Sequence, residues 1–150
     1  MSDDHTHRNV ELTRVRKARF VARNWRGGEL EVGEGDDEAF TPVELLLTAI
    51  AGCMAIDVDY ITAKRAEAER FLVAIGAEKI RDENGNRLTD IVVSLDVGFP
   101  LTDAGQAADE VLPSAVQRSR DKICTVGRTV TVGTPIATEV VGHDSAIASG

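Results

Sequence analysis

The stretch FTPVELLLTAIAGCMAID, from Phe40 to Asp57, decides the fold because it predicts a long apolar helix with a marked start. Thr41, Pro42 and Glu44 occupy the N-cap, first and third helical positions, a capping-box pattern with proline where its missing N–H costs nothing. We predict one helix from there to about Glu67, apolar on nearly every face over most of its length. Such a helix has to be enclosed by other parts of the protein.

Strand-like segments on both sides of this helix predict an α+β fold. The segments that alternate in the manner of strands are 15–25, 27–35, 71–81, 88–99 and 128–141. Glycines after Arg26 predict a turn between the first two, and Asn84 with Gly85 predicts a hairpin turn between the next two. A second helix is expected from Thr102 to about Cys124, followed by the final strand. We therefore predict an antiparallel sheet of about five to six strands packed on two helices.

The length of the chain and the predicted helix bear on domain organisation and assembly. A chain of 150 residues is expected to form one domain over 1–150, with flexible tails at 1–9 and 143–150. One sheet covers only one side of the long helix, so a monomer of this size would leave an apolar flank exposed. We therefore expect a homodimer in which the central helices of two chains bury each other.

Composition excludes several classes of function. The 25 acidic and 17 basic side chains give a net charge of −8, which argues against a nucleic-acid partner. Glu44, Asp57 and Asp59 interrupt the apolar stretch, so we expect no membrane span, and the polar N-terminus predicts a cytoplasmic location. Two cysteines are too few for a disulfide framework or a four-ligand zinc site. No metal and no cofactor are expected.

The two cysteines, Cys53 and Cys124, admit two interpretations. Free cysteines are often small, inert, buried apolar residues, and sequence spacing alone favours that interpretation. The other interpretation is a pair of reactive thiols, because an accessible thiolate is a strong nucleophile.

Two motifs favour the reactive interpretation. The segment FTPVELLLTAIAGCMAIDV resembles a signature in which a Pro-x-Glu-Leu-Leu opening leads, one helix later, to a reactive thiol. The segment CTVGRTV resembles a second signature, in which a cysteine is followed shortly by Arg-Thr-Leu or a near relative. Both belong to the family that contains the osmotically inducible protein C and the organic hydroperoxide resistance protein. The order of strands and helices predicted above is similar to that of the family.

This resemblance implies an OsmC-like fold, an intertwined homodimer with sites at its interface, and a thiol-dependent peroxidase activity. Cys53 would attack an organic hydroperoxide, release an alcohol and become a sulfenic acid. Cys124 would condense with it to form an intramolecular disulfide. An external dithiol, in this family often a lipoyl protein, would then reduce the disulfide.

Cys53 would need a neighbouring cation, because a thiol of pKa about 8.5 is mostly protonated at neutral pH. Asp57, one helical turn on, would oppose ionisation, and the family's arginine corresponds to Arg26 or Arg23 as nearly equal candidates. Glu44 could cap the helix, hold this guanidinium, or do both. Nine residues place Glu44 half a turn and about 13.5 Å from Cys53, which favours Glu44 of one chain acting on Cys53 of the other.

Two alternatives from other functional classes remain open. One is a dimeric binder of lipids or other small ligands that keeps the fold but does not turn over its thiols. The other is a redox sensor with a reversible disulfide between Cys53 and Cys124 and slow peroxidase activity.

Overall fold

The computed structural model describes residues 6–142 and confirms the α+β class. Its elements are β1 (Glu11–Arg16), β2 (Arg19–Arg23), β3 (Glu29–Val32), α1 (Pro42–Ala63), β4 (Arg70–Asp82), β5 (Gly85–Gly98), α2 (Asp103–Arg118), a π-helical turn (Ser119–Ile123) and α3 (Thr125–Val132). The chain divides into two compact units, residues 1–48 and 49–150. Of the predicted tails, residues 1–5 and 143–150 lie outside the described part of the chain.

The first unit contains a three-stranded antiparallel sheet in the order β1-β2-β3. The hairpin between β2 and β3 is closed by Asn24, whose Oδ1 accepts hydrogen bonds of 3.0 Å from the N–H groups of Arg26 and Gly28. The prediction of one continuous strand over 15–25 was wrong. A turn at Ala18, with φ of 60°, divides this segment between β1 and β2, which then pair with each other.

The start of α1 confirms the predicted capping box. The N–H of Glu44 donates to Thr41 Oγ1 at 3.2 Å, and the N–H of Thr41 donates to Glu44 Oε1 at 2.9 Å. Two N–H groups that would otherwise lack a helical partner are thereby satisfied. The helix ends at Ala63, before the predicted Glu67.

The second unit is built around a long antiparallel hairpin, β4-β5, with its turn between Asp82 and Gly85. This confirms the predicted hairpin, with a tighter turn in which Gly85 has a φ of 92°. Met54 and Val58 of α1 pack with Ala115 of α2 to form the core of the unit. The partly buried side chains around this core are Ile61, Phe71, Val93, Leu95, Leu112 and Val116.

The prediction of a final strand over 128–141 was wrong, because Thr125–Val132 forms α3. Alternating β-branched residues favour a strand, but local hydrogen bonds favour the helix here. Cys124 Sγ accepts the N–H of Gly127 at 3.2 Å, and Thr129 Oγ1 donates to the carbonyl of Thr125 at 2.7 Å. The described part of the chain therefore has three α-helices, and its five strands form one three-stranded and one two-stranded sheet.

By length and composition alone, α1 is long and apolar enough to cross a membrane. The core helix of a soluble protein passes the same test, and Met54 and Val58 of α1 are buried in the core of the second unit. Other α1 side chains are not covered, since Ile56 is 59% exposed and Tyr60 is 74% exposed. The helix therefore has a buried side and an apolar side that is open in the single chain.

We expect Gly105→Ala to destabilise the protein by about 1–3 kcal/mol, because overpacking a close contact forces the backbone to move. A Cβ on Gly105 would overlap the carbonyl oxygen of Pro100. Urea denaturation measures the change. The control is Gly76→Ala in β4, where a Cβ meets no atom within 4 Å and the expected change is below about 0.5 kcal/mol. Equal stability of the two variants would contradict the prediction.

Candidate active site

Two thiols and one carboxylate meet in the second unit. The Sγ atoms of Cys53 and Cys124 and a carboxylate oxygen of Asp57 all lie within 4.8 Å of one another. Both cysteines are free thiols. A disulfide requires the two sulfur atoms to approach to about 2.05 Å, so only a short movement separates this arrangement from a covalent bond. The structure therefore brings together the two cysteines that the sequence motifs predict to react.

The π-helical turn Ser119–Ile123 positions Cys124. The N–H of Cys124 donates to the carbonyl of Ser119 at 2.9 Å, which closes the turn, and Cys124 then adopts an extended conformation as the N-cap of α3. Such turns occur often at functional sites. A Cβ on Gly127 would lie 3.0 Å from Cys124 Sγ, so the absence of a side chain lets the N–H of Gly127 reach the sulfur.

The environment of Cys124 keeps its thiol protonated. Its side chain is 1% exposed, and burial is the main cause that raises the pKa of the Cys124 thiol. The Cys53 thiol and the negative charge of Asp57 raise this pKa further, while the hydrogen bond from Gly127 lowers it. Cys53 is half-buried. Cys53 is therefore the more accessible of the two thiols, and it is the one that the sequence motifs predict to react with the peroxide.

Asp57 is fixed by a residue that sequence reasoning missed. Ser119 Oγ donates a 2.9 Å hydrogen bond to Asp57 Oδ2, and the serine is completely buried. The helical spacing of Cys53 and Asp57 indicated that they share a face of α1, and the motif resemblance placed Cys124 near Cys53, but nothing in the sequence signalled that Ser119 would lie beside Asp57. The contact depends on how the π-helical turn packs on α1.

The group offers three potential metal-binding atoms but does not form a closed metal site. Among residues 6–142, no fourth His, Cys, Asp or Glu joins Cys53, Asp57 and Cys124. Structural zinc sites have four protein ligands in nearly all cases. One oxygen of the carboxylate is also already engaged by Ser119.

A mostly apolar cavity of about 370 Å³ lies in the second unit, and one of its lining residues, Gly127, donates its N–H to Cys124 Sγ. Ile50 and Met54 line it from α1, the helix that carries Cys53, and Gly127 lines it from beside Cys124. Val93 and Leu95 of β5 form another part of its wall. A polar side chain also reaches the cavity, because Arg120 of the π-helical turn lines it. The cavity can accept an apolar group of a small molecule.

The other three predicted site residues lie in the first unit. Arg23 Nε donates to Glu29 Oε2 at 2.7 Å, while the guanidinium of Arg26 lies 5.4 Å from the ring centre of Trp25. Glu44 forms the capping box of α1. Arg23 and Arg26 are exposed in the single chain. The roles of these residues towards Cys53 stay predictions.

Arg19 is a buried arginine that sequence reasoning did not single out. Its side chain is 8% exposed and forms ion pairs with Asp37 and, at 3.6 Å, with Glu31. The segment RKAR contains several basic residues, and no pattern in it marked which one the fold would bury. Its burial follows from the turn at Ala18, which places Arg19 at the start of β2.

Comparison with known proteins identifies relatives over most of the chain. Residues 35–139 match the family described as OsmC-like protein. The uncharacterized protein Rv2923c of Mycobacterium tuberculosis is 34% identical over 134 residues, covering 88% of this chain and 93% of that protein. The uncharacterized protein Mb2948c of Mycobacterium bovis matches to the same extent.

Solved structures with a similar fold also cover most of the chain. A hypothetical protein from Aquifex aeolicus superposes with a TM-score of 0.70 at 24% identity, covering 85% of this chain and 89% of that one. An OsmC-like protein from Mycoplasma pneumoniae superposes with a TM-score of 0.65 at 11% identity, covering 84% and 88%. At these identities the likeness shows the fold alone.

We expect Cys124 in the Cys53→Ser variant to be alkylated by iodoacetamide only at a higher pH than a free cysteine. The reactive species is the thiolate, and burial with the charge of Asp57 raises the pKa of Cys124. The rate is measured from pH 6 to 11 against glutathione, a range that spans the ordinary thiol pKa of about 8.5. Labelling of Cys53 in the Cys124→Ser variant is the control for accessibility. A midpoint at or below that of glutathione would contradict the expectation.

Proposed function

Because the chain belongs to the family of OsmC-like proteins, we propose that it is a thiol-dependent peroxidase that reduces organic hydroperoxides to alcohols. The observation that carries the proposal is that the Sγ atoms of two free thiols, Cys53 and Cys124, lie within 4.8 Å of each other. If the two cysteines were only small apolar residues that fill space, packing would not require them to lie next to each other.

In the proposed reaction, the Cys53 thiolate attacks the distal oxygen of the hydroperoxide. An S–O bond forms, the O–O bond breaks, and the alkoxide that leaves takes a proton to become the alcohol. Cys53 is then a sulfenic acid. The sulfur of Cys124 attacks this sulfenic sulfur, the S–O bond breaks, and water leaves as the disulfide forms. An external dithiol, such as a lipoyl protein, returns both thiols to the reduced state by exchange.

The cavity supports the choice of organic peroxides as substrates. Its wall includes Ile50, Met54, Val93 and Leu95, so an alkyl group would be transferred from water to apolar contacts there. Hydrogen peroxide has no apolar group to place in it. We infer that organic hydroperoxides react faster than hydrogen peroxide.

Activation of Cys53 is proposed to involve a second chain. The guanidinium of Arg23 or Arg26, oriented by Glu44, would stabilise the Cys53 thiolate. The open apolar side of α1, with Ile56 and Tyr60 exposed, favours a homodimer in which another copy covers this helix.

The acidic chain is proposed to act in the cytoplasm without nucleic-acid or membrane partners.

The apolar cavity also favours a second candidate function. A protein that binds fatty acids or similar ligands would use the same cavity and would keep its thiols reduced. A redox sensor would form the disulfide between Cys53 and Cys124 once and turn over slowly. The number of thiols lost and the number of turnovers separate these possibilities from a peroxidase.

We expect one equivalent of cumene hydroperoxide to remove both free thiols of the wild type, and dihydrolipoamide to support many turnovers. Cys53→Ser should abolish the reaction, and Cys124→Ser should stop at a sulfenic acid that dimedone traps. Thiol titration, mass spectrometry and steady-state rates with cumene, fatty-acid and hydrogen peroxides are the measurements. Retained thiols with tight fatty-acid binding would overturn the proposal in favour of a binder. A single oxidation without turnover would favour a sensor.

We expect Glu44→Gln to lower the peroxidase rate by about tenfold, the effect of one pKa unit on the thiolate fraction, with little change in stability. Glutamine at this position keeps the capping box but removes the charge that would orient a guanidinium. Thermal unfolding and steady-state rates are measured together. An unchanged rate would assign Glu44 to capping alone.

The arginine is identified in the same assay. Of Arg23→Ala and Arg26→Ala, the variant that removes the activating cation should show the larger rate loss, and Arg→Lys at that position should restore part of it. Sedimentation analysis of the wild type measures its mass in solution and so tests the proposed homodimer. Full activity in both alanine variants would remove both arginines from the mechanism.

A further inference from the structure

We propose that the carboxylate of Asp57, held in place by Ser119, accepts the proton of the Cys124 thiol in the step that closes the disulfide. The inference rests on the proposed function, because it concerns the second half of that redox cycle. It assigns a role to a charged side chain that the first half of the cycle does not use.

The step needs a proton acceptor because Cys124 is a protonated, nearly inaccessible thiol. Its side chain is 1% exposed, and burial is the main cause of its raised pKa. Only the thiolate attacks another sulfur efficiently. Bulk water has little access to remove the proton, so a group inside the protein has to receive it.

Asp57 is the neighbour with the chemistry to do this. The polar groups that act on Cys124 are the N–H of Gly127, the Cys53 side chain and the Asp57 carboxylate. The N–H is a donor, and Cys53 is the electrophile once it is a sulfenic acid. A carboxylate oxygen of Asp57 lies within 4.8 Å of both sulfur atoms, so the same group can serve the attacking and the attacked residue.

Ser119 determines how the carboxylate is presented. Its buried hydroxyl donates to Asp57 Oδ2 at 2.9 Å, which leaves lone pairs of the carboxylate available for a thiol. A purely structural explanation is that this hydrogen bond fastens α1 to the π-helical turn. That explanation does not account for a negative charge beside two thiols, since a carboxylate disfavours any second negative charge near it. Asparagine would make the same hydrogen bond without this cost.

The proposed step balances without any added reagent. The proton of Cys124 moves to Asp57 as the Cys124 sulfur bonds to the sulfenic sulfur of Cys53. The S–O bond of the sulfenic acid breaks, and the departing hydroxide takes the proton from Asp57 and leaves as water. Asp57 returns to its carboxylate form, so each cycle leaves it unchanged.

The basic groups on the packed elements are not among the causes that shift the pKa of Cys124. Arg120 and Lys122 of the π-helical turn and Arg128 of α3 all act on Asp121 and lower the pKa of its carboxyl. On α1, the two titratable groups that act on Cys124 are Asp57 and Cys53. The pH dependence of disulfide closure should therefore report on removal of the Cys124 proton.

The test measures the role of Asp57 in disulfide closure without the peroxidase reaction, because no peroxide is added. Cys53, the more exposed thiol, is converted to a mixed disulfide with 5-thio-2-nitrobenzoate. The attack of Cys124 on that disulfide releases the coloured thiolate. This leaving group needs no proton, so its release rate reports only how readily Cys124 is deprotonated and positioned. Asp57→Asn should slow the release about 100-fold at neutral pH, the usual range of a lost general base, although the loss of its charge favours the Cys124 thiolate. The defect should shrink as pH rises, because hydroxide replaces the carboxylate.

Asp59→Asn is the matched control, since it removes an exposed acidic charge from the same helix, and it should leave the rate unchanged. Ser119→Ala retains the carboxylate but frees its orientation, so it should show a smaller loss with the same pH dependence. A second assay follows cumene hydroperoxide, where Asp57→Asn should form the dimedone-trapped sulfenic acid at least as fast as the wild type.

Two results would overturn the inference: an unchanged release rate in Asp57→Asn, or a loss in that variant that stays constant over the whole pH range. A wild type that does not react with peroxide but shows the Asp57 effect in the mixed-disulfide assay would overturn only the proposed function. If Asp57→Asn does not fold, Ser119→Ala and its pH profile decide the question.

Discussion

The hydrogen bond between Ser119 and Asp57 joins the long helix to the π-helical turn, and the arrangement of the site depends on it. The two cysteines lie far apart in the sequence of the second unit and share no secondary-structure element. Packing of Val58 on Ala115 sets the distance between the helices, and the buried hydrogen bond fixes how the turn is oriented on α1. A buried hydroxyl or carboxylate without a partner is costly, so alternative orientations of the turn are disfavoured. Specific placement of the two thiols follows from this combination.

The same contact creates an electrostatic asymmetry between the two thiols. Cys124 is enclosed and lies beside a negative charge, so its protonated form is favoured until the moment of reaction. Cys53 is more accessible and adjoins the residues that line the apolar cavity. Two chemically identical side chains thus acquire different roles from burial and neighbouring charge. The order of the proposed reaction, peroxide first and disulfide second, agrees with that difference.

Sequence reasoning succeeded where the structure is determined by local chemistry. The capping box of Thr41 and Glu44 and the hairpin turn at Gly85 depend on residues close together in the chain, and both are confirmed. The meeting of Cys53 and Cys124 followed from motif resemblance and not from any physical feature of the residues. The roles of Arg23 and Arg26 would involve a second chain, and they stay predictions.

Failures occurred where side-chain hydrogen bonds or tertiary contacts outweigh propensity. The β-branched residues after Cys124 favoured a strand, but capping by the Cys124 sulfur begins a helix there. The positive φ of Ala18 is uncommon for a residue with a Cβ, so the division of the first predicted strand had no sequence signal. The partnership of Asp57 and Ser119 joins residues 62 positions apart, and no periodicity predicts such a contact.

The π-helical turn also limits which single-residue deletions the site can tolerate. Its hydrogen bonds span one residue more than those of an α-helix, as the bond from Cys124 to Ser119 illustrates. Loss of a single codon from this segment would leave an α-helical turn in place of the wider one, so the Ser119 hydroxyl and the Cys124 sulfur could not both keep their positions. The core residues before the turn would keep their places, while the second sulfur would face away from the first. Descendants with such a deletion would inherit an intact scaffold in which the two thiols no longer meet.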